Sequence, residues 1–262
     1  MVLSLTEKSY LIDSLSSTPP VRSDGRAAYQ FRPIEISTDF LPSSNGSARV
    51  ISSDGSECVV SIKSKVINYT VDPELIVVDI DITSHRDDSP FVRSLSSMFG
   101  NLLVKTLNTD QLYLTKKHAF KIYIDVLVLS SNSYPGSLIS FSIYSALNST
   151  FLPKLVSSKD DLDVEVLPTF HDYDFVKLQF DVPLVFVVAI VGDNVIVDPS
   201  AAETDVASNG LILTWHNGKV MAPIRNVGMN NSFTRGFSME HVTKAITFIN
   251  TYAPRVVKAL SV

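Results

Sequence analysis

The sequence predicts a mixed α/β (α+β) fold in which β-sheets pack on helices, arranged as two β–α modules. Short apolar runs of strand length alternate with segments of helical periodicity, and Asp-Gly and Asn-Gly turns separate several of these runs. A second series of apolar runs begins at Pro183 and leads into a long amphipathic C-terminal segment. The 262 residues, of which 45% are hydrophobic, are sufficient to form a substantial core.

The N-terminal segment, residues 1–30, is predicted to contain one helix and one charged turn. The helix extends from Thr6 to Leu15 and ends before Pro19, because two consecutive prolines cannot continue it. The turn is Arg22-Ser-Asp-Gly-Arg26, in which Asp-Gly favours a chain reversal. We interpret it as a structural turn in which Asp24 pairs with a neighbouring arginine, and a contact surface is the alternative.

The first module, residues 31–182, is predicted to contain six strands and two helices. The strands are Arg32–Ile36, Ser47–Ser52, Glu57–Lys65, Glu74–Ile82, Phe120–Leu129 and Val176–Phe180. Apolar residues at helical spacing predict a helix around Phe91–Leu103. A second helix is predicted over Ser137–Asn148, with Ser137 as its N-cap and its serines on the face opposite the apolar residues.

The second module, residues 183–262, is predicted to consist of hairpins and a final helix. Its strands are Leu184–Val191, Val195–Val197, Leu211–Trp215 and Lys219–Ala222, joined in pairs by turns at Gly192–Asn194 and His216–Gly218. The helix extends from about Ser238 toward Leu260, and Pro254 predicts a kink in it. No repeat or flexible linker separates the modules, so we expect one compact body.

Composition excludes several classes of protein. The net charge of −5, from 22 basic and 27 acidic residues, argues against nucleic-acid binding by bulk electrostatics, so any such contact should be local or shared with other chains. Charged residues make up 19%, which fits either a subunit that hides part of its surface against partners or a monomer with a large β-rich core. The longest apolar run is too short to span a bilayer, and the N-terminus lacks the apolar region of a signal peptide.

The single cysteine, Cys58, excludes an intramolecular disulfide and fits a reducing compartment. It lies in an apolar strand-like run, so we expect a buried, unreactive thiol.

The loop Ser130–Gly136 connects a predicted strand to a predicted helix. A helix N-terminus behind a glycine-bearing turn is a natural place for a phosphate, because its free N–H groups and dipole point at the anion. The loop contains no Arg or Lys, and we expect none to be in place to complete such a site.

Two acidic segments are the remaining candidates for chemistry. Asp198 and Glu203 follow a buried strand and either face a cleft or cap a turn, of which we favour the cap. His171-Asp-Tyr-Asp174 has no second His or Cys at ligand spacing, so we expect a solvated polar segment before a strand and no metal site. No nucleophile elbow, P-loop, dinucleotide fingerprint or zinc motif is present in the sequence, and no cofactor is expected.

Several short motifs, taken in order, resemble the RNase PH family, and within it the ring subunits of the RNA exosome. The motifs are Arg22–Arg26, Asn45–Ala48, Asp54–Ser56, Ile124–Leu129, Ala146–Asn148 with Leu152–Pro153, and Val197–Pro199. Each motif is weak alone, but their order and spacing are specific and cover nearly the whole chain.

The resemblance implies an S5 domain 2-like first domain and a smaller RNase PH-type second domain. It implies a six-membered ring of such subunits around an RNA channel, capped by S1- or KH-domain proteins, with a separate hydrolytic exoribonuclease at the other end. The implied activity is 3′-to-5′ RNA processing and decay in nucleus, nucleolus and cytoplasm.

The chain departs from active members of that family in two places. Where they carry a Gly-Thr-Arg-type phosphate loop, this chain has Ser133-Tyr-Pro-Gly136-Ser137. Where they carry carboxylates at three positions of one run, the matching residues are Asp198, Ser200 and Thr204, with Glu203 adjacent. Loss of phosphate positioning alone removes a proximity effect of about 7–11 kcal/mol of barrier.

The resemblance also implies candidate RNA contacts. Arg93 matches one of two arginines that archaeal relatives place near the RNA path, and Ser97 replaces the second. Arg22 and Arg26 are further candidates for RNA contact. A solvated helix charge is the alternative for Arg93.

We therefore expect a non-catalytic ring subunit that lines part of an RNA channel. An active phosphate-dependent 3′-to-5′ exoribonuclease is the first alternative, and an unrelated α/β enzyme acting on a small molecule is the second.

Overall fold

The computed structural model describes residues 3–157, 167–230 and 236–261. Helix α1 (Leu5–Ser16) begins at the capping box of Ser4 and Glu7, and it is followed by the turn at residues 22–26, where Gly25 takes the left-handed backbone with φ 75°. The predicted α1 helix and the turn are confirmed.

The first sheet contains five strands in the order β1–β2–β3–β5–β4. These are β1 (Ile34–Thr38), β2 (Gly46–Ser52), β3 (Glu57–Asn68), β4 (Ile76–Ile82) and β5 (His118–Ser130). All neighbours are antiparallel except β4 and β5, which are parallel because helix α2 (Pro90–Thr106) crosses between them. The predicted Asp-Gly hairpin joins β2 to β3, and Gly55 takes φ 81° there.

The second sheet contains four antiparallel strands in the order β11–β10–β8–β9. These are β8 (Leu184–Val191), β9 (Asn194–Val197), β10 (Asn209–His216) and β11 (Lys219–Val227). Strand β8 is buried along its whole length. Helix α5 (Met239–Leu260) packs its apolar face on this sheet and contains Pro254 in its interior. The two larger sheets fall within residues 34–130 and 184–227, and a two-stranded sheet lies between them in the chain. The division into two modules at residue 183 stays a prediction.

Helix α3 (Gly136–Asn148) lies between the two sheets and contacts β2, β3 and β8. The sequence predicted its serines opposite the apolar residues, and in the structure these serines are largely buried. The hydroxyl oxygens of Ser137 and Ser140 accept hydrogen bonds from the backbone N–H groups of Val187 (2.9 Å) and Val185 (2.7 Å). The serine face therefore joins α3 to strand β8, and both modules share one body.

Three predictions about local structure were wrong. Ser137 is not the N-cap of α3, because the helix begins at Gly136 and Ser137 bonds to β8 instead. The strand predicted at Val176–Phe180 is β7 (Phe170–Lys177), which pairs with the unpredicted strand β6 (Phe151–Leu155). The segment His171–Asp174 therefore lies within a strand rather than before it, although its side chains are exposed.

A short helix, α4 (Ala201–Val206), was not predicted either. Its six residues are too few for periodicity to reveal. Within the described residues, no helix combines the length and the apolar character that a bilayer-spanning helix requires.

Candidate functional site

A cleft of about 290 Å³ lies where the loop after β5 meets the C-terminal end of α5. The loop contributes Ser133 and Tyr134, and α3 contributes Ser137 and Leu138. The other lining residues are Phe31, Arg32, Pro33, Ile34, Ser52, Ser56, Ser131, Pro135, Phe141, Val187, Asp198, Pro199, Val256, Ala259 and Leu260. Most of this wall is apolar, so a ligand in the cleft would meet few polar groups.

The loop is held in place by the tip of the β2–β3 hairpin. The Ser130 hydroxyl donates to the Gly55 carbonyl oxygen (2.6 Å), and the Asn132 side-chain amide donates to the Asp54 carbonyl oxygen (2.7 Å). The backbone N–H of Asn132 donates to the hydroxyl oxygen of Ser56 (3.1 Å). The hairpin thereby presents the carboxylate of Asp54 beside the loop.

Arg32 brings a guanidinium to this loop from a distant part of the chain. Its Nη2 donates to Ser133 Oγ (3.1 Å) and to Asp198 Oδ1 (2.7 Å), and its Nη1 pairs with the carboxylate of Asp54. Our expectation that no basic side chain is in place at this loop was therefore wrong. The guanidinium is nevertheless held by two carboxylates, which neutralise it.

Asp198 is the centre of this network. It lies directly after β9 with the left-handed φ of 49°, which Asp tolerates better than most residues. Its Oδ2 accepts from the backbone N–H of Arg32 (2.8 Å), from Arg32 Nε (3.0 Å) and from Arg26 Nη1 (3.2 Å). With both oxygens engaged, this carboxylate has little capacity left to act as a base.

Glu203 and Arg22 form a second, enclosed pair. The two side chains are 0% exposed, and Arg22 Nε and Nη2 each donate to one Glu203 oxygen at 2.7 Å. The remaining donors of Arg22 bond to the carbonyl oxygens of Val197 and Asp198, and to those of Ala27 and Gln30. Glu203 also closes the capping box of α4 with Ser200. Glu203 therefore has a structural role, in agreement with the predicted cap, whereas Asp198 lines the cleft instead.

The charges at the cleft shift the acidities of their neighbours. Burial by itself lowers the pKa of Arg32, but the hydrogen bond and charge of Asp198 and the charge of Asp54 outweigh burial and raise it. For Asp54, burial by itself raises the pKa, but the hydrogen bond from the Ser56 backbone N–H and the charge of Arg32 outweigh burial, so the net shift of the pKa is downward. Burial raises the pKa of the Tyr134 phenol to about 12, so it stays neutral.

The other predicted site residues are distributed as follows. Ser133 and Ser137 line the cleft, and Gly136 is tightly enclosed, since an added Cβ would lie 2.8 Å from Tyr134 Cε1. Arg26 pairs with Asp24 (2.7 Å), as predicted for the turn. Arg93 lies exposed on α2, outside the cleft. RNA contact by these arginines remains a prediction, and the burial of Arg22 argues against it there.

Two residues of the site, Arg32 and Asp54, were missed by sequence reasoning. Arg32 lies 101 positions from Ser133 and 166 from Asp198, so no local pattern connects them. Asp54 was identified as part of a hairpin turn and of a family motif, but not as a site residue. Among the described residues, no group of three His, Cys, Asp or Glu side chains is arranged to hold a metal ion.

The chain is similar in sequence to a family of exoribonucleases and to exosome components of two yeasts. The profile of the 3′ exoribonuclease family, domain 1, matches residues 30–153. The chain is 57% identical over 262 residues to exosome complex component RRP42 of Saccharomyces cerevisiae, covering 99% of each. It is 29% identical to exosome complex component rrp42 of Schizosaccharomyces pombe, covering 100% of this chain and 95% of that relative.

Solved structures agree on the fold. A chain of an archaeal exosome core superposes with a TM-score of 0.74 at 19% identity, covering 98% of this chain and 97% of the other. A chain of the Archaeoglobus fulgidus exosome with RNA bound to the active site superposes with a TM-score of 0.73 at 18% identity, covering 97% of each. The predicted RNase PH-like fold is thereby confirmed.

Proposed function

The chain belongs to the RNase PH (3′ exoribonuclease) family, and from this premise we propose that it is a non-catalytic ring subunit of an RNA exosome core. The proposal for the assembly is supported by 57% identity along the full length of an exosome component. In this role the chain supports a ring of RNase PH-type subunits and contributes to an RNA channel used in 3′-to-5′ processing and decay. S1/KH cap proteins and a hydrolytic exoribonuclease are its further partners, in nucleus, nucleolus and cytoplasm.

One observation supports the absence of catalysis. Phosphorolysis needs a bound phosphate as nucleophile and help for the departing 3′ oxygen. The guanidinium nearest the loop, Arg32, is neutralised by Asp54 and Asp198, so this side chain offers an anion little net positive charge. Asp198 in turn is occupied by Arg26 and Arg32, and Glu203 is enclosed with Arg22. These contacts support the proposal that the cleft does not provide either requirement.

The experiment that tests this proposal measures phosphate-dependent release of nucleoside diphosphates from a 3′-tailed RNA. The purified chain is assayed alone and within its native assembly, with Asp198→Ala as the variant. We expect no release that depends on this residue. Phosphate-dependent release that Asp198→Ala abolishes would establish the active-enzyme alternative. Native mass spectrometry addresses the other alternative, since a lone homo-oligomer without RNA-decay proteins would favour a small-molecule enzyme.

We also propose that Arg93 contacts RNA in the channel. Its side chain is exposed on α2, and within the described residues no carboxylate pairs with it. Replacement of one phosphate-contacting arginine lowers the salt dependence of RNA binding by about one unit of slope. Arg93→Ala in the assembly should reduce this slope, whereas Arg86→Ala, which removes an exposed arginine paired with Asp88, serves as the matched control. Equal slopes for both variants would contradict the proposal.

A further inference from the structure

One face of the five-stranded sheet carries no helix among the described residues. Side chains alternate across each strand, and the inward set on β3, β4 and β5 joins the core that α2 and α3 cover. The outward set faces the other side of the sheet. We call it the outer sheet face and define it by Val59, Asp79, Asp81, Asp125, Leu127 and Leu129.

The outer sheet face has an apolar centre. Leu127 is 41% exposed and Leu129 42% exposed, which is high for leucines on a central strand. Val59 lies opposite Leu127 in the β3–β5 register and is only half-buried. These side chains form an apolar patch on the sheet, and apolar patches of this kind are common in protein interfaces.

Carboxylates border this apolar centre without cationic partners. Asp79 lies directly opposite Asp125 in the parallel β4–β5 register, and Asp81 lies opposite Leu127. No ion pair to these three carboxylates occurs within the described parts of the chain. Partial burial and the charges of Asp79, Asp87 and Asp125 raise the pKa of Asp81. Like charges that face each other across strands destabilise a sheet, so Asp79 and Asp125 repel each other in the chain alone. Lys63 of β3 lies diagonally beside Asp125 on this face and forms no ion pair with it among the described residues.

We propose that the outer sheet face docks a protein partner whose surface presents lysine or arginine side chains around an apolar centre. Such a partner would cover the leucines and neutralise the carboxylates, which gives both apolar burial and charge complementarity. RNA does not fit this face, because its phosphates carry the same charge as the aspartates. The inference rests on the proposed function, in which the partner is another protein of the exosome assembly.

Carboxyl footprinting tests the docking directly. The free chain and the native assembly purified through a tag on this chain are labelled with a carbodiimide and glycine ethyl ester, and labelling rates are read by mass spectrometry. We expect Asp79, Asp81 and Asp125 to label about tenfold more slowly in the assembly. A complete assembly in which these rates are unchanged would overturn this inference alone. A preparation without exosome proteins would overturn the proposed function, and this inference with it.

Replacing the three aspartates with asparagine should stabilise the free chain but weaken its incorporation into the assembly. Asp79→Asn/Asp81→Asn/Asp125→Asn should raise the melting temperature of the free chain, because it removes the repulsion. It should also weaken incorporation into the assembly about tenfold, because the partner's cations lose their counterparts. The matched control is Asp13→Asn/Asp110→Asn/Asp193→Asn, which makes the same charge change at exposed positions away from this face. Equal incorporation of the two triple variants would overturn the proposal.

Discussion

Two arginine–carboxylate clusters meet at Asp198, and they differ in what surrounds them. In the first, Arg22 and Glu203 are fully enclosed and every donor of the guanidinium is bonded. In the second, Arg32 lies 12% exposed at a cleft and shares its charge between Asp54 and Asp198. The enclosed pair can serve only the fold. The cleft cluster borders the loop Ser130–Gly136, and its two carboxylates offset the charge of Arg32.

Removing one charge of the enclosed Arg22–Glu203 pair should lower the free energy of unfolding more than any other change to these clusters. Glu203→Gln leaves the buried Arg22 with only Asp24, at 3.9 Å, as a counter-charge, and we expect a loss of about 3–5 kcal/mol in the free energy of unfolding. Denaturant unfolding measures this loss. The double variant Arg22→Met/Glu203→Leu leaves neither charge of this pair. Its loss in the free energy of unfolding should be much smaller than the summed losses of the single variants Arg22→Met and Glu203→Leu. A Glu203→Gln loss below about 1 kcal/mol would show that water reaches this pair.

A smaller effect is expected at the residue that both clusters share. Asp198→Asn keeps the shape of the side chain but leaves Arg32 with only Asp54 as a counter-charge, and Arg26 with only Asp24. We expect a loss of about 1–3 kcal/mol in the free energy of unfolding, less than for Glu203→Gln, because solvent reaches the cleft. Unfolding of both variants under one set of conditions checks the order. An equal or larger loss for Asp198→Asn would show that the cleft cluster is the main structural one.

The charge of Asp54 should appear in the pH dependence of stability. Its folded pKa is lowered, so its contribution is fully present above the unfolded pKa of about 3.9 and is lost as the pH falls through the folded pKa. The difference between the wild type and Asp54→Asn should therefore be about 0.5–1 kcal/mol at pH 7 and vanish toward pH 2. Unfolding measured across this range tests the sign. In an Arg32→Met background the difference should shrink, and an unchanged difference would assign it to the Ser56 bond instead.

The smallest change in the free energy of unfolding is expected at Asp24, the most exposed carboxylate of these clusters. Asp24 pairs with Arg26 at 2.7 Å, but its side chain is 36% exposed. Asp24→Ala should change the free energy of unfolding by less than about 1 kcal/mol, because water screens the pair. Thermal unfolding at low and high salt checks this expectation. A larger loss that persists in high salt would mean that the turn depends on the backbone bond from Arg26 to Asp24 rather than on charge.

Strands, turns and helices that depend on neighbouring residues were predicted correctly from the sequence. Strand β8 follows from eight consecutive apolar residues, and the β2–β3 hairpin follows from Asp54-Gly55. Helix α5 follows from its apolar periodicity. The wrong predictions concern segments whose structure depends on contacts with residues far along the chain. Ser137 looks like an N-cap in isolation but bonds to Val187 in the structure, and β6 contains Pro153, which weakens any strand prediction.

The candidate site was predictable only in outline. The loop Ser130–Gly136 was identified from its position between a strand and a helix, and Asp198 and Glu203 were identified as acidic residues after a buried strand. Which carboxylate is enclosed and which lines a cleft depends on how β9, α4 and the N-terminal turn pack together. Arg32 was assigned to a strand and to nothing else, because its role arises from contacts with residues far along the chain.

Local sequence predicted most of the strands, helices and turns and supported the family resemblance, because periodicity, turn chemistry and motif order are properties of neighbouring residues. The two-module division stays a prediction. Only the tertiary structure decided which charges meet. Arg32 reaches Asp54, Ser133 and Asp198 across 22, 101 and 166 positions, and the serine face of α3 meets β8 rather than solvent. Ion pairs and buried hydrogen bonds depend on distances of a few ångströms, which packing sets and local sequence does not encode.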